Sequence, residues 1–343
     1  MAVKKSKRKT GTIKTLREDN FTIGEVQNEL LIRQTIKHEV KLSGQRLDFT
    51  ALLSERGNEQ LSNFNNSTLN RFLSAERNQA RLINYYDLTG IKQSLADKIA
   101  CIIYDASKVT LSGSRYHLSE SKKFYDKVNG LCNNEYFYNE PSFMSGATAF
   151  AISGTEMATA GHVFDNKDPE RDPMIVIFGY KMTSIDTPLL DFDKEDVFRI
   201  KKVIRRNPDT SDNKDFAVFE VENYYDPRIE IPYTKIFNNS DMSNNVGNRD
   251  EVYIIGHPFG LPLKYCKGVV DVSGSNYFTA DYDSYKINSG SPVFDSNNKV
   301  VGIHVFSSNG LDTYTDNASA NACSLMRHST PGEKRASKIS QIS

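Results

Sequence analysis

Asn288-Ser289-Gly290-Ser291-Pro292-Val293-Phe294 runs through a short turn into Val300-Val301-Gly302-Ile303-His304, so a compact serine sits between two apolar strand signals. A serine hydroxyl is a poor nucleophile near neutral pH, and it gains meaning only when a base and an orienting acid can be found for it. Upstream, the apolar run Ala149-Phe150-Ala151-Ile152 is broken by a turn at Gly154 and followed by Ala158-Thr159-Ala160-Gly161-His162. Between that histidine and the serine lies Asp215-Phe216-Ala217-Val218-Phe219, an acid opening a β-rich stretch. The order is His162, Asp215, Ser289, and serine hydrolases of different folds arrange the same three residue types in different orders. Each motif alone is weak; in this order they make a strong joint signal. The rival Ser291 stands before Pro292 at a strand entry, where it is expected to pack rather than react.

The texture around these residues is β-like from about Gly90 onward. A first set of short apolar runs comprises Ile99-Ala100-Cys101-Ile102-Ile103-Tyr104, Met174 to Phe178, Val197 to Ile200 and Phe216 to Val221. A second comprises Val252 to Ile255, Val269 to Val272, Tyr277 to Ala280, Ser291 to Phe294 and Val300 to Phe306. Short runs separated by Gly, Pro, Asn and Asp turns suit antiparallel barrels.

At these residues the chain resembles the trypsin-like serine peptidases, and most closely their bacterial glutamyl-endopeptidase (V8-like) branch, where the serine sits in an Asn-Ser-Gly-Ser-Pro-Val-Phe context. Val252-Tyr253-Ile254-Ile255-Gly256-His257-Pro258-Phe259-Gly260 is similar to the strand and turn that open the second barrel in such enzymes, and Leu131 to Phe137 looks like a segment preceding the first core hairpin. The resemblance covers roughly residues 90 to 327. It implies a mainly β fold of two six-stranded antiparallel barrels of the chymotrypsin type, with His162 and Asp215 in the first, Ser289 in the second and a polypeptide substrate in the cleft between. It implies no cofactor.

Carried onto this chain, the resemblance makes His162 the base that takes the Ser289 proton and returns it to the leaving amine, while Asp215 holds the imidazole tautomer. The oxyanion hole would use the backbone N–H groups of Ser289 and of the residue two positions earlier, Ile287. There the chain departs from its relatives, which have glycine; a β-branched residue does not readily take a positive φ. Three outcomes are open: the hole forms with another backbone conformation, it forms only when substrate or an activator remodels Lys286-Ile287, or the enzyme is weak. The favoured reading is a competent, regulated site, with an inactive binding homologue as the alternative. The neutral Asn288 before the nucleophile rules out activation by an ion pair with a new N-terminal ammonium. Two readings of the primary pocket compete: Asp283, six residues before Ser289, would select Lys or Arg, whereas Ser284 and His304 fall where glutamyl endopeptidases bind an acidic side chain.

The 343 residues leave room for more than the two barrels, and 43 basic against 43 acidic residues cancel, so whole-chain charge points to no partner. Residues 1–22 read as a basic disordered tail, with seven Lys or Arg and no acid up to Arg17. Residues 23–90 read as a helical accessory segment that could bind a protein partner, restrain the protease or cap the barrel, 91–327 as the protease domain, and 328–343 as a disordered tail. Nucleic-acid binding is not expected. The start has no apolar signal core and no window approaches a membrane span, which predicts a cytoplasmic protein without membrane insertion. Cys101, Cys132, Cys266 and Cys323 are irregularly spaced, which predicts buried reduced thiols and no metal site. His257, before Pro258 in a turn, is expected to make a backbone hydrogen bond.

Overall fold

The computed structural model describes residues 82–119, 122–127, 130–132, 135–143, 145–209, 214–307, 311–315, 322–326 and 334–342. The basic tail and the helical segment up to residue 81 lie outside the described residues. The chain divides into two compact units, residues 1–80 with 134–136 and residues 81–133 with 137–343. Of the first, only Glu135 and Tyr136 are described, and there the Tyr136 N–H donates to the Glu135 carboxylate at 2.6 Å.

The second unit is built on twelve strands that form two closed antiparallel rings. The first contains β1 (Ile99–Ile103), β2 (Gly146–Ala151), β3 (Glu156–Thr159), β4 (Ile175–Phe178), β5 (Val197–Asp209) and β6 (Lys214–Asn223). The second contains β7 (Glu251–Gly256), β8 (Lys264–Ser273), β9 (Tyr277–Ala280), β10 (Pro292–Asp295), β11 (Val300–Ser307) and β12 (Lys334–Lys338). Around the first ring the order is β1-β2-β3-β6-β5-β4, and around the second β7-β8-β9-β12-β11-β10, so the same path is wound twice.

Burial explains the runs read from the sequence. Every residue of β1 is buried, and β6 alternates inward and outward residues along most of its length. Closure leaves neither barrel with a free edge. One apolar cluster runs through both, from Phe150, Phe178 and Phe219 to Tyr253, Phe294 and Ile303, and a second gathers Cys101, Ile103, Ile175 and Ile177 with Tyr116 and Phe192. Phe237, in the connection between the barrels, packs edge-on to Phe150 and against Phe294, each at 5.7 Å between ring centroids.

Two expectations are corrected. The disordered tail foreseen at 328–343 contains β12, which pairs with β9 on one side and β11 on the other and so closes the second barrel. Lys-Arg-Ala-Ser-Lys has no apolar alternation, so its strand character comes from two neighbouring ladders and from the small Ala336 and Ser337, both fully buried. The described end of the 23–90 segment is also not α-helical: Ile83 and Asn84 pair with Tyr265 and Lys264 at the edge of the second barrel, and Tyr85–Asp87 form a single 3-10 turn. A third difference concerns the cysteines. Cys101 and Cys266 are buried thiols outside any disulfide, but Cys132 is disulfide-bonded rather than reduced.

Candidate active site

His162 lies in a 3-10 turn, Gly161–Phe164, that directly follows β3. Asp215, on β6, fixes that turn: its Oδ1 accepts the His162 backbone N–H at 2.9 Å and its Oδ2 accepts Nδ1–H of the ring at 2.6 Å. Because the carboxylate accepts the Nδ1–H hydrogen bond and keeps the proton on Nδ1, Nε2 is left as the acceptor, and the Ser289 hydroxyl lies 2.8 Å from it. Asp215 is 1% exposed at its side chain against 32% for His162, so the acid is sealed behind the ring and the ring edge faces solvent. The Asp215 N–H donates to Ser337 Oγ at 3.0 Å, which ties the first barrel to β12 of the second.

The serine loop is held just as tightly. Thr148 N–H donates to the Ser289 carbonyl at 2.9 Å, and Gly290 N–H to the His304 carbonyl at 2.8 Å. Gly290 has φ +90°, and a Cβ there would lie 2.0 Å from both the Thr148 carbonyl oxygen and Thr159 Oγ1, so only glycine fits beside the first barrel. Ser291 is fully buried and donates to the Asn288 carbonyl and side-chain oxygens at 2.6 and 2.7 Å, occupied in holding the loop.

Ile287 takes the positive φ that its side chain disfavours, at +73°. The turn from Tyr285 to Asn288 is closed by the Asn288 N–H on the Tyr285 carbonyl at 3.2 Å, and the Lys286 carbonyl accepts the Phe259 N–H at 2.7 Å. A trans peptide points its C=O and N–H in opposite directions. With the Lys286 oxygen held by buried Phe259, the Ile287 N–H is turned the other way. A cleft of about 320 Å³ is lined there by Tyr104, His162, Lys286, Ile287, Ser289 and Ser307, among others.

Behind Ser307, which lines the cleft, His304 is 1% exposed. Its Nε2 lies 2.9 Å from Ser284 Oγ and 2.7 Å from Ser307 Oγ, and its Nδ1 lies 3.0 Å from the Tyr282 hydroxyl. Asn288 Nδ2 donates to Ser284 Oγ at 2.8 Å. Burial, reinforced by the charges of Lys334 and His162, pushes the His304 pKa well below its usual value. Asp283 is buried and gives its backbone N–H to Cys266 Sγ at 3.2 Å; like Ser284 and His304, it is not itself among the residues lining the cleft. Ser307 and Tyr282 escaped the reading of the sequence. The register of β11 against β12 shifts between His304 and Phe306, which breaks the alternation that would set Ser307 on the face opposite His304.

Two closed six-stranded barrels with a serine, a histidine and a carboxylate in hydrogen-bonded succession at their seam define the chymotrypsin-fold class of serine peptidases. Residues 147–303 match the family model described as a trypsin-like peptidase domain. Over that stretch the chain is similar to the trypsin-like serine peptidases. It is 34% identical over 102 residues to a probable periplasmic serine endoprotease, DegP-like, of Bartonella henselae, a match spanning 25% of this chain and 20% of that protein. The chain thus spans about a fifth of the length of the curated relative it matches. Among solved structures it is similar to a Glu endopeptidase in complex with MPD, with 14% identity, a TM-score of 0.43 and 76% of this chain and 93% of that one covered. It is also similar to an inactive form of Rv3671c from M. tuberculosis H37Rv, with 12% identity, a TM-score of 0.38 and 74% and 85% covered.

Proposed function

We propose that the chain is a serine endopeptidase acting on polypeptides through an acyl-enzyme, with Ser289 as nucleophile, His162 as general base and then acid, and Asp215 as the group that orients and balances the imidazole. The observation that carries this reading is the unbroken succession Asp215 Oδ2, His162 Nδ1, His162 Nε2, Ser289 Oγ at 2.6 and 2.8 Å. The tetrahedral oxyanion would be met by the N–H groups of Ile287 and Ser289, and losing one such donor costs about 100- to 1000-fold in rate.

For the primary pocket the acidic reading is favoured over the basic one. With the Tyr282 O–H donating to Nδ1, His304 turns Nε2–H toward Ser284 and Ser307, and Asn288 satisfies Ser284 as a donor. Ser307, which lines the cleft and donates to Ser284 Oγ at 3.2 Å, can turn that hydrogen to a substrate carboxylate, a neutral donor suited to a Glu or Asp side chain. Ser307 carries the Ser284–His304 set to the cleft lining, whereas Asp283, which supported Lys or Arg, gives its backbone N–H to Cys266 Sγ. The disulfide at Cys132 fits an oxidising compartment better than the cytoplasm expected from the sequence.

A fluorophosphonate probe should label the protein and leave Ser289→Ala and His162→Ala unlabelled, and a peptide library should be cut after Glu or Asp. Absence of labelling in the wild type would favour the inactive binding homologue; cleavage after Lys or Arg would return the pocket to Asp283.

A further inference from the structure

The Phe259 amide that holds the Lys286 carbonyl is itself in an unusual position. Phe259 has φ 54° and ψ 19°, and Gly260 follows at φ +66°, so two consecutive residues lie in the left-handed region. For a phenylalanine that conformation is strained, and it persists only where the surroundings hold it. The surroundings are the segment Pro141-Ser142-Phe143, which precedes the first barrel's β2. Ser142 Oγ donates to the Phe259 carbonyl at 2.7 Å, Phe143 N–H donates to the Gly260 carbonyl at 2.9 Å, and the Tyr180 hydroxyl lies 3.2 Å from the same Gly260 oxygen. Contact is so close that a Cβ on Gly260 would lie 1.9 Å from the Phe143 carbonyl oxygen. The Phe259 ring stacks on Tyr285 at 4.8 Å and packs on Phe124 at 5.3 Å.

The same segment is anchored at its start by a buried charge cluster. Lys264 is fully buried, and its Nζ donates to Glu140 Oε2 at 2.5 Å, Asn84 Oδ1 at 2.6 Å and the Pro262 carbonyl at 2.9 Å. Asn84 Nδ2 closes the ring of contacts on Glu140 Oε1 at 2.9 Å. A buried ammonium and carboxylate are costly to place and easily replaced by apolar packing, so the pair is weak evidence for stability and better evidence for a fixed geometry.

We propose that residues 140–143 are a brace for the oxyanion hole, in which Ser142, anchored through Glu140 and Lys264, is a positioning residue that keeps the Phe259 N–H on the Lys286 carbonyl and so keeps the Ile287 N–H turned into the cleft. The inference rests on the proposed peptidase reading. It explains how a β-branched residue holds a hole conformation that related enzymes leave to glycine: the peptide is gripped through its carbonyl from behind, two contacts away from the reacting atoms. It also means that the edge pair Ile83–Asn84, upstream of both barrels, reports through Lys264 on the geometry of the site.

The test compares the wild type with Ser142→Ala, Ser142→Thr and, for the anchor, Glu140→Gln. On a peptide substrate Ser142→Ala should lower kcat by about tenfold to a hundredfold, less than the roughly 100- to 1000-fold that outright loss of an oxyanion donor costs, with KM within about twofold, while Ser142→Thr restores the rate. Binding of a peptide aldehyde, which fills the hole, should weaken in parallel with kcat, and binding of a non-covalent product peptide should not. In hydrogen exchange, the amides of 285–289 should lose protection in Ser142→Ala and Glu140→Gln while those of β7 do not. Unchanged kcat with unchanged exchange at 285–289, or loss of KM and kcat together with general loss of protection, would overturn the brace. If the wild type turns over no substrate, the peptidase reading fails, and the exchange measurement still decides whether Ser142 holds the 285–289 turn.

Discussion

Ile287 holds a conformation that its own side chain opposes. A left-handed backbone costs a residue with a Cβ roughly 1–2 kcal/mol, and glycine, which avoids that cost, brings back roughly 0.5–1 kcal/mol of unfolded-chain entropy. Ile287→Gly should therefore stabilise the fold modestly, by up to about 1 kcal/mol, and leave kcat within about twofold because the N–H that matters belongs to the backbone. Urea unfolding and steady-state kinetics check both halves. A tenfold fall in kcat would mean that the isoleucine side chain, and not only its amide, shapes the cleft. At this scale the sequence was most informative where chemistry is tied to residue type. His162, Asp215 and Ser289 stood out by their contexts and order, Asp283 by its spacing from the serine, and Ser284 and His304 only through the resemblance to glutamyl endopeptidases. Ser142, Tyr282 and Phe259 carried no such mark. Their roles come from a hydroxyl or an amide arriving from elsewhere in the chain, 117 residues away in the case of Ser142 and Phe259.

Strands were legible wherever one face or both are apolar, as in Ile99–Ile103 and Val300–Ser307. They were illegible where the ladder does the work. β12 reads Lys-Arg-Ala-Ser-Lys, yet it joins β9 to β11 and presents Ser337 to the Asp215 amide. A chain ending at residue 333 should consequently lose more than a tail. The second barrel would be opened at two ladders, with unpaired backbone groups along β9 and β11. The buried carbonyls and N–H groups left without partners predict aggregation or loss of cooperative unfolding, read by light scattering and by circular dichroism during heating. A truncated protein that stays monomeric and melts like the full chain would mean that β12 is dispensable to the barrel. The two-residue strand at Ile83–Asn84 was hidden for the opposite reason: Leu82 and Ile83 fit a helical period that begins well upstream, and pairing with Lys264 and Tyr265 overrides it.

For the molecule as a whole, both barrels follow one winding order and share one apolar cluster, so polar groups near the seam are deeply withdrawn from water. His257 is the extreme case. It is fully buried, donates Nδ1–H to the Leu261 carbonyl at 3.1 Å and stacks on Tyr180 at 5.6 Å. Burial, with Lys264 nearby, lowers its pKa to about 3, and His304 is displaced in the same direction. In the unfolded chain each would titrate near 6.5. Between about pH 6.5 and the folded pKa the unfolded state binds a proton that the folded state refuses, so stability is full above that window and declines as pH falls through it. The slope is about 1.4 kcal/mol per pH unit for each histidine held neutral. Glutamine at position 257 can still donate to Leu261 and does not titrate. Urea midpoints of wild type and His257→Gln between pH 4 and 7 should therefore diverge, the variant losing stability less steeply by about one proton's worth. Parallel pH profiles would show that the buried imidazole of position 257 is not held neutral in the folded state, and acid sensitivity would then belong to the carboxylates and to His304.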